Sequence, residues 1–287
     1  MKARLNCSVP GDFPFYFNEI QGTTKFVKDG NDQVIYATFT TPDNALAGSA
    51  ICSYRLSDIR KIFDEGQFKG QANSDSNWLP IRESELPFPR PGSCVEDSTK
   101  LPESNLNFIK THSLMDKAVP SKGHGPLFIK TALDERLTAI AVDAGVKTPG
   151  DDNADQYDVL YVGTTKGRVL KVVSSHSKFG GHRKPVIAEE IQVFPYHVAV
   201  NNIQVINDKL IVVSDHEVKA MPLHRCVFRN FFFFFFCKLV DVGFIWYYFS
   251  NKFSWQLFLD VFYELVHKMY LIRETSSDNK KKIKFQN

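Results

Sequence analysis

The chain has 287 residues, of which 43% are hydrophobic and 23% are charged, and its formal net charge is +3. This length suits one large domain or two ordinary ones, and the composition is ordinary for a globular protein. A net charge this small gives no reason to expect a nucleic acid or an acidic membrane as a partner.

The first part of the chain has the pattern of β-strands. A strand is predicted at 15–20, and a hairpin follows with strands at 34–40 and 48–54. Residues 127–133 supply a further strand candidate. The hairpin is rich in β-branched and aromatic residues and has a polar turn, which is typical of paired strands in a sheet. We therefore expect these segments to form one sheet.

Between the strand at 48–54 and the candidate at 127–133 the pattern is different. Ser57 is predicted to cap a short helix over Asp58–Phe63, because its hydroxyl can accept a backbone N–H of the first turn. A Pro-rich loop that ends at Cys94 follows, and a second helix is predicted over Asn107–Met115. The segment therefore reads as an insertion between strands.

The strand pattern then returns twice. Strands at 137–142 and 187–194 flank a hairpin over 158–173, so the order is strand, hairpin, strand over about 55 residues. This is the pattern of one four-stranded propeller blade. A further blade is expected to begin near Asn202, with a hairpin over 209–223. The predicted fold is all-β, a partial β-propeller of about three blades.

The composition changes after Cys226. Residues 227–287 contain 13 of the 25 Phe, including an unbroken run at 231–236, and are rich in residues with AT-rich codons. We interpret this tail as translated non-coding sequence. A membrane span over 231–249 is an alternative, although Lys238 and Asp241 would each cost roughly 2.5–3.5 kcal/mol there. A soluble helix is the third possibility.

The five cysteines lie far apart in the sequence, at Cys7, Cys52, Cys94, Cys226 and Cys237. Their number is odd, so at least one lacks an intramolecular disulfide partner in an oxidised chain. The absence of any Cys-x-x-Cys pair favours long-range disulfides and an extracellular setting over zinc or redox chemistry. The first residues lack the apolar stretch of a signal peptide, and we therefore expect a further part of the protein to precede them.

The sequence has no catalytic signature. It contains neither His-Glu-x-x-His nor Gly-x-Ser-x-Gly, and we predict no enzyme activity, cofactor or metal. Asp151, Asn153 and Asp155 have calcium-loop spacing, but Gln156 stands where the loop needs Gly, which favours a solvated acidic loop. For the basic loop 176–184, contact with a heparan-type glycan is the alternative to a solvated surface. The sequon Asn-Cys-Ser makes Asn6 a possible glycosylation site.

Several motifs together resemble the semaphorins, most of all invertebrate semaphorins of the transmembrane class. They span residues 2–226 and include Arg4-Leu-Asn-Cys-Ser-Val-Pro-Gly, Gly48-Ser-Ala-Ile-Cys, Ser57-Asp-Ile-Arg-Lys-Ile-Phe, Pro87-Phe-Pro-Arg-Pro-Gly-Ser-Cys, Asn107-Phe-Ile-Lys-Thr-His-Ser-Leu-Met, Tyr157-Asp-Val-Leu-Tyr-Val-Gly-Thr-Thr-Lys-Gly and Pro222-Leu-His-Arg-Cys.

The resemblance implies that 1–226 is the second half of a seven-bladed sema domain, about blades five to seven. It implies that 56–126 is an extrusion of blade five that helps to build a homodimer. Members of the family are extracellular or cell-surface ligands that bind plexin receptors and direct axon growth and cell migration. A plexin-type receptor that shares the domain, or a truncated gene product without function, is the alternative.

The resemblance also implies roles for the cysteines. Cys7 aligns with a cysteine that pairs with the one at Cys52, a link worth roughly 3–4 kcal/mol in the chain-entropy model. The partner of Cys94 is expected to lie upstream of this chain, so Cys94 is expected to be unpaired here. Cys226 resembles the first cysteine of a plexin-semaphorin-integrin domain, and it too is expected to lack its partner.

Overall fold

A computed structural model of the protein describes residues 1–73, 75–93, 95–147, 156–176 and 185–223. The chain divides into two units, Met1–Arg225 and Cys226–Asn287. The second unit lies outside the described residues, together with the predicted membrane span 231–249. Within the described ranges, no helix is long and apolar enough to cross a membrane.

The described residues form seventeen strands and two α-helices. In chain order they are β1 (Ser8–Val9), β2 (Phe15–Tyr16), β3 (Glu19–Thr23), β4 (Val27–Asp29), β5 (Asp32–Thr40), β6 (Ser49–Arg55), α1 (Leu56–Glu65), β7 (Phe68–Gly70), β8 (Leu79–Pro80), α2 (Glu103–Thr111), β9 (Leu114–Met115), β10 (Phe128–Lys130), β11 (Leu137–Lys147), β12 (Gln156–Thr164), β13 (Arg168–His176), β14 (Val186–Gln192), β15 (Asn202–Ile206), β16 (Lys209–Val213) and β17 (Val218–Pro222).

The first large sheet has the order β10-β6-β5-β3, and its neighbouring strands are antiparallel. Most residues of strands β5 and β6 are buried, which is typical of strands covered on both faces. The predicted hairpin and outer strand are confirmed. The inner strand is β3, later in the chain than the predicted 15–20, because β2 pairs with β1 instead.

The second sheet has the order β11-β12-β13-β14 and is the predicted strand, hairpin, strand unit. Its central turn depends on Gly167, whose φ is +69°. A Cβ atom on this residue would lie 2.7 Å from the carbonyl oxygen of Phe194. The position therefore needs glycine both for its left-handed backbone and for the close approach of the neighbouring loop.

The third sheet contains β15, β16 and β17 in that order. Asn207 and Asp208 turn the chain between β15 and β16 with φ values of 48° and 59°. Two consecutive left-handed residues are the signature of a type I′ hairpin, and Asn and Asp tolerate this conformation better than most residues. The sheet begins at Asn202, as predicted.

The sheets pack against each other through apolar side chains. Between the first and second sheets, Tyr36 and Ile51 belong to one buried cluster with Leu160 and Leu170. A second cluster joins the second and third sheets, where a Cβ atom on Gly163 would lie 2.5 Å from Val200 Cγ1. Sheets stacked in this way are successive propeller blades, so the predicted partial β-propeller is confirmed.

Tyr36 also makes a buried polar contact between the first two blades. Its hydroxyl donates a short hydrogen bond to Asp158 Oδ2, and Asp158 Oδ1 accepts the backbone N–H of Gly145 at 3.0 Å. Burial raises the pKa of Tyr36 far above its usual value, and the charge of the Asp158 carboxylate raises it further. Tyr36 therefore remains a neutral donor throughout the physiological pH range.

Glu135 forms a second inter-blade contact with two basic residues. Its carboxylate lies 3.1 Å from Lys130 Nζ of the first blade and accepts two hydrogen bonds from Arg168 of the second. Burial acts to raise the pKa of Glu135, but the hydrogen bonds from Arg168 and Lys130 outweigh it and lower the pKa below its usual value. The carboxylate is therefore held in its charged form.

The first helix starts earlier than predicted. Arg55 occupies the N-cap position of α1, so Ser57 lies within the first turn and does not cap the helix. Its hydroxyl instead donates to Asp32 Oδ2 at 2.5 Å, which ties α1 to the start of β5. The capping prediction is wrong because a tertiary partner is available to the hydroxyl.

The second helix is displaced towards the N-terminus. The predicted range 107–115 is replaced by α2, which begins at Glu103 and ends at Thr111. Leu114 cannot remain helical because it pairs with Lys69 as part of β9. The pairing of β9 with β7 thus determines where α2 ends.

Candidate interaction surface

Residues 56–126, called the insert below, leave the first blade after β6 and return at β10. The insert contains a small antiparallel sheet with the order β8-β7-β9, flanked by α1 and α2. A small sheet with few neighbours cannot bury much apolar area. Its order must therefore depend on a few well-placed side chains.

Phe68 in β7 forms the centre of the insert and is fully buried. The ring of Phe108 in α2 meets it edge-on, with ring centroids 5.3 Å apart and an interplanar angle of 89°. The guanidinium of Arg90 lies 5.2 Å from the Phe68 ring centroid, which is a cation–π distance. One aromatic side chain therefore joins the sheet, α2 and the Pro-rich loop.

Arg90 also holds the C-terminal end of α1. Its guanidinium donates a short hydrogen bond to the carbonyl oxygen of Gly66, the residue after the helix. The same nitrogen, Nη2, also donates to the carbonyl oxygen of Phe63 at 3.5 Å. A cation at this helix end is also favoured by the helix dipole. The Pro-rich loop is thus anchored to α1 by charge as well as by packing.

His112 closes the space between α2 and β7. Its ring stacks on Phe108 with centroids 4.5 Å apart, and Nδ1 lies 2.8 Å from the hydroxyl oxygen of Thr111. A Cβ atom on Gly70 would lie 2.6 Å from His112 Cδ2. Glycine at position 70 therefore lets the imidazole approach the sheet.

The N-terminal segment connects the insert to the first blade. Lys2 and Leu5 form isolated parallel bridges with Leu114 and Val119. Two residues after Leu5, Cys7 is joined by a disulfide to Cys52 of β6, with Cα atoms 5.8 Å apart. This is the pair that the semaphorin resemblance implied.

Lys122 fixes the returning end of the insert. Its Nζ atom lies 2.6 Å from Asp29 Oδ2 in β4, and its backbone N–H donates to the carbonyl oxygen of Ser53 at 2.7 Å. α1 packs Ile59 and Ile62 against the apolar cluster under β5 and β6. The base of the insert is thus firmly attached to the blade.

The outer part of the insert exposes large apolar side chains. Phe88 is 91% exposed and Leu106 is 57% exposed, and Trp78, Leu79 and Val95 are also exposed. Next to them is an open groove of about 480 Å³, lined by Glu85, Leu86, Pro87, Ser104, Asn107, Phe108 and Thr111. Large exposed apolar patches are a feature of protein–protein contact surfaces, which makes this part of the insert the candidate surface.

Several predicted residues lie outside the described part of the chain. They are Cys94, Cys226, the acidic loop 151–155 and the residues 177–184 of the basic loop. In the described ranges, no group of three or more His, Cys, Asp or Glu side chains is placed to hold a metal ion.

Sequence reasoning identified the insert but missed the contacts that order it. Phe68, Phe108 and Arg90 were not predicted to contact one another, although Phe108 and Arg90 both belong to motifs of the semaphorin resemblance. Phe68 and Phe108 are 40 positions apart, and no local period connects them. The Pro-rich setting of Arg90 was the available signal, because an arginine in a rigid loop loses little entropy when it is anchored.

Comparison with known proteins identifies the family. The model of the Sema domain matches residues 20–207. Semaphorin-1A of Schistocerca americana is 46% identical over 237 residues, which cover 79% of this chain and 32% of the relative. Semaphorin-1A of Drosophila melanogaster is 44% identical over 245 residues, with 79% and 27% covered. The chain thus spans about a third of the length of the curated relatives it matches.

A solved structure of Drosophila Semaphorin 1b, extracellular domains 1–2, is 46% identical to this chain and superimposes with a TM-score of 0.69, covering 78% of this chain and 44% of that one. A solved structure of Drosophila Plexin A in complex with Semaphorin 1b gives the same values. The Sema domain model covers more than half of the chain, and the relatives and solved structures it matches are semaphorins, so the chain belongs to the Sema domain family, among the semaphorins.

Proposed function

We propose that this chain is part of an extracellular semaphorin guidance ligand that binds a plexin receptor and so directs axon growth and cell migration. The observation that carries the proposal is the 46% identity and shared fold with Semaphorin 1b, which is known in complex with Plexin A. The Cys7–Cys52 disulfide supports an extracellular or cell-surface location, because disulfides persist in oxidising compartments.

Within the ligand we assign different tasks to the two regions. The unit 1–226 supplies part of the propeller, and the insert 56–126 supplies a homodimer contact. Support for the second assignment comes from exposed apolar residues such as Phe88 and Leu106 on an element whose base is rigidly held. A homodimer pairs the same patch on both copies, so one substitution acts twice.

A receptor-binding experiment tests the ligand proposal. The ectodomain of the full-length protein is immobilised, and binding of a purified plexin ectodomain is measured by surface plasmon resonance. We expect saturable binding that a plexin lacking its own sema domain does not show. A folded ectodomain without affinity for any plexin tested would contradict the proposal.

A substitution tests the dimer. Leu106→Glu places a charge on the exposed apolar surface of the insert, and we expect the dimer dissociation constant to rise at least about tenfold, since desolvating one charge costs more than 1.4 kcal/mol. Molar mass by light scattering over a concentration series measures this change. Leu133→Glu is the matched control, because Leu133 is 93% exposed and lies outside the insert. Equal effects of the two substitutions would refute the assignment.

A further inference from the structure

Loops from successive blades lie at the end of the sheets opposite the insert and are called the rim below. They are the segments 41–48, 131–136, 165–167 and 193–201. Lys130 at the end of β10 pairs with Ser49 at the start of β6, so the first two loops emerge at the same end of the first sheet. The insert leaves that sheet at the other end of β6. The rim is therefore a surface separate from the proposed dimer contact.

We propose that the rim binds a second protein, in addition to the proposed receptor, through a partner surface with an apolar centre and lysine or arginine side chains around it. The proposal goes beyond the ligand function and does not depend on plexin binding. It is based on three properties of the rim: loops that are tied together, apolar side chains that are exposed, and carboxylates that face solvent.

Asp134 ties the loop 131–136 to the two loops beside it. Its carboxylate accepts a hydrogen bond from the Tyr196 hydroxyl at 2.9 Å and lies 3.5 Å from Lys166 Nζ. The same ammonium group lies 4.2 Å from the centroid of the Tyr196 ring, which is a cation–π distance. Leu133 precedes Asp134 in the chain and is therefore presented from an anchored loop.

Arg136 ties the same loop to the segment 41–48. Its guanidinium donates a short hydrogen bond to the carbonyl oxygen of Thr41 and lies 3.3 Å from Asp43 Oδ1. The backbone N–H of Arg136 donates to the hydroxyl of Thr165 at 3.1 Å, and its carbonyl oxygen accepts the N–H of Thr165 at 3.0 Å. The rim is thus ordered before a partner arrives, which reduces the entropy cost of association.

Two leucines and a tyrosine supply the apolar part of the rim. Leu133 is 93% exposed, and Leu46 and Tyr196 are also exposed. Side chains this exposed contribute little to folding, because hydrophobic stabilisation comes from burial. They lie on loops that contact one another and have polar neighbours, and exposed apolar groups in such a setting are a feature of protein contact surfaces.

The ion pairs of the rim place carboxylates outside and basic groups beneath them. The Asp43 side chain is 97% exposed, whereas its partner Arg136 is 21% exposed. The Asp134 side chain is 66% exposed, and Lys166 is 22% exposed. The hydrogen bond from Tyr196 and the charge of Lys166 lower the pKa of Asp134, which keeps this carboxylate ionised at physiological pH. An approaching protein therefore meets negative charge first, and basic side chains complement it.

Photo-cross-linking from position 133 tests whether such a partner exists. The ectodomain of the full-length protein carries a diazirine amino acid in place of Leu133 and is irradiated on living cultured neurons. The control carries the same group in place of Ile206, an exposed residue at the end of β15 away from the rim. We expect mass spectrometry to identify a protein linked from position 133 and not from position 206. The same set of proteins from both positions, or none from position 133, would overturn the proposal.

Binding of the identified protein, once purified, tests the chemistry of the rim. Surface plasmon resonance compares the wild-type ectodomain with Leu133→Lys and Leu133→Glu. We expect Leu133→Lys to raise the dissociation constant at least about tenfold, because it removes an apolar contact and repels the basic side chains. Leu133→Glu should weaken binding less, since its charge attracts them. The wild-type affinity should also fall as salt is added. Unchanged affinity in both variants, or a larger loss with Leu133→Glu, would overturn a basic partner at this site.

Two further measurements separate this outcome from the other proposals. Leu106→Glu in the insert is the matched control and should leave the affinity for the identified protein unchanged. Plexin binding should be equal for wild type and Leu133→Lys, and its loss in Leu133→Lys would assign the rim to the receptor and overturn a second partner. A partner at position 133 without any plexin binding supports the rim proposal and contradicts the ligand proposal.

Discussion

The blade stack and the insert are ordered by different kinds of contact. The blades share two extended clusters of buried apolar residues, and polar links such as Tyr36 to Asp158 lie within them. The insert instead has one fully buried aromatic ring, Phe68, with Phe108 and Arg90 around it. α1 contains no buried residue at all.

This difference shows how one chain can combine a rigid frame with an exposed surface. Many buried side chains contribute to the packing between blades, so each blade is stabilised by its neighbours. The insert is stabilised by only a few contacts. Apolar side chains such as Phe88 remain exposed and can contact a partner. We expect it to open locally at a lower free energy than the blades.

The largest expected effect comes from Phe68→Ala. Removing a fully buried phenylalanine should destabilise the insert by about 3–5 kcal/mol, because the cavity has few neighbours to refill it. Hydrogen exchange measured by mass spectrometry should show faster exchange in 68–115, while β12 and β13 keep their protection. Phe88→Ala, at a 91% exposed position, is the control and should change stability by no more than about 0.5 kcal/mol. Faster exchange throughout the blades would refute the separation of the two regions.

A medium effect is expected from Tyr36→Phe in the blade stack. The change removes the hydrogen bond to the buried Asp158 carboxylate and should lower the free energy of unfolding by about 1.5–3 kcal/mol. Chemical denaturation measures it, and both adjacent blades should lose protection together. The control is Tyr54→Phe, because the buried Tyr54 hydroxyl has no hydrogen-bond partner among the described residues. Similar losses for both variants would show that the hydroxyl contact does not link the blades.

The smallest effect concerns pH and Glu135. Its pKa is lowered in the folded protein, so its contribution to stability is complete above the usual glutamate pKa and is lost as the pH falls through the folded value. Glu135→Gln should therefore reduce the loss of stability on acidification. Unfolding midpoints at neutral and acidic pH measure the difference. An acid slope that is the same in wild type and variant would show that Lys130 and Arg168 do not hold the charge.

Much of the fold could be predicted from the sequence. The hairpins at β5–β6, β12–β13 and β16–β17 are visible as β-branched runs around polar turns, because strand pairing between neighbours in the chain is local. The two helix boundaries in the insert were misplaced for the opposite reason. Ser57 found a partner in β5, and Leu114 pairs with β7, which are both long-range events.

The position of the candidate surface in the chain could be predicted from the sequence, but the contacts that order it could not. The Pro-rich loop and the predicted helices indicated an insertion between strands, and the semaphorin resemblance implied its bounds, 56–126, and a role in a homodimer. The contacts between Phe68, Phe108 and Arg90 could not be predicted from the sequence. The three residues belong to different elements, and no sequence periodicity connects them.

The sequence by itself determined the three hairpins, the sites of their turns and the existence of an insertion, because these follow from the local alternation of side chains and the backbone limits of Gly, Asn and Pro. Only the tertiary structure decided which side chains hold the insert and where α1 and α2 begin and end. The reason is physical. These features depend on burial and on partners distant in the chain, and such long-range contacts form only when the blades pack together.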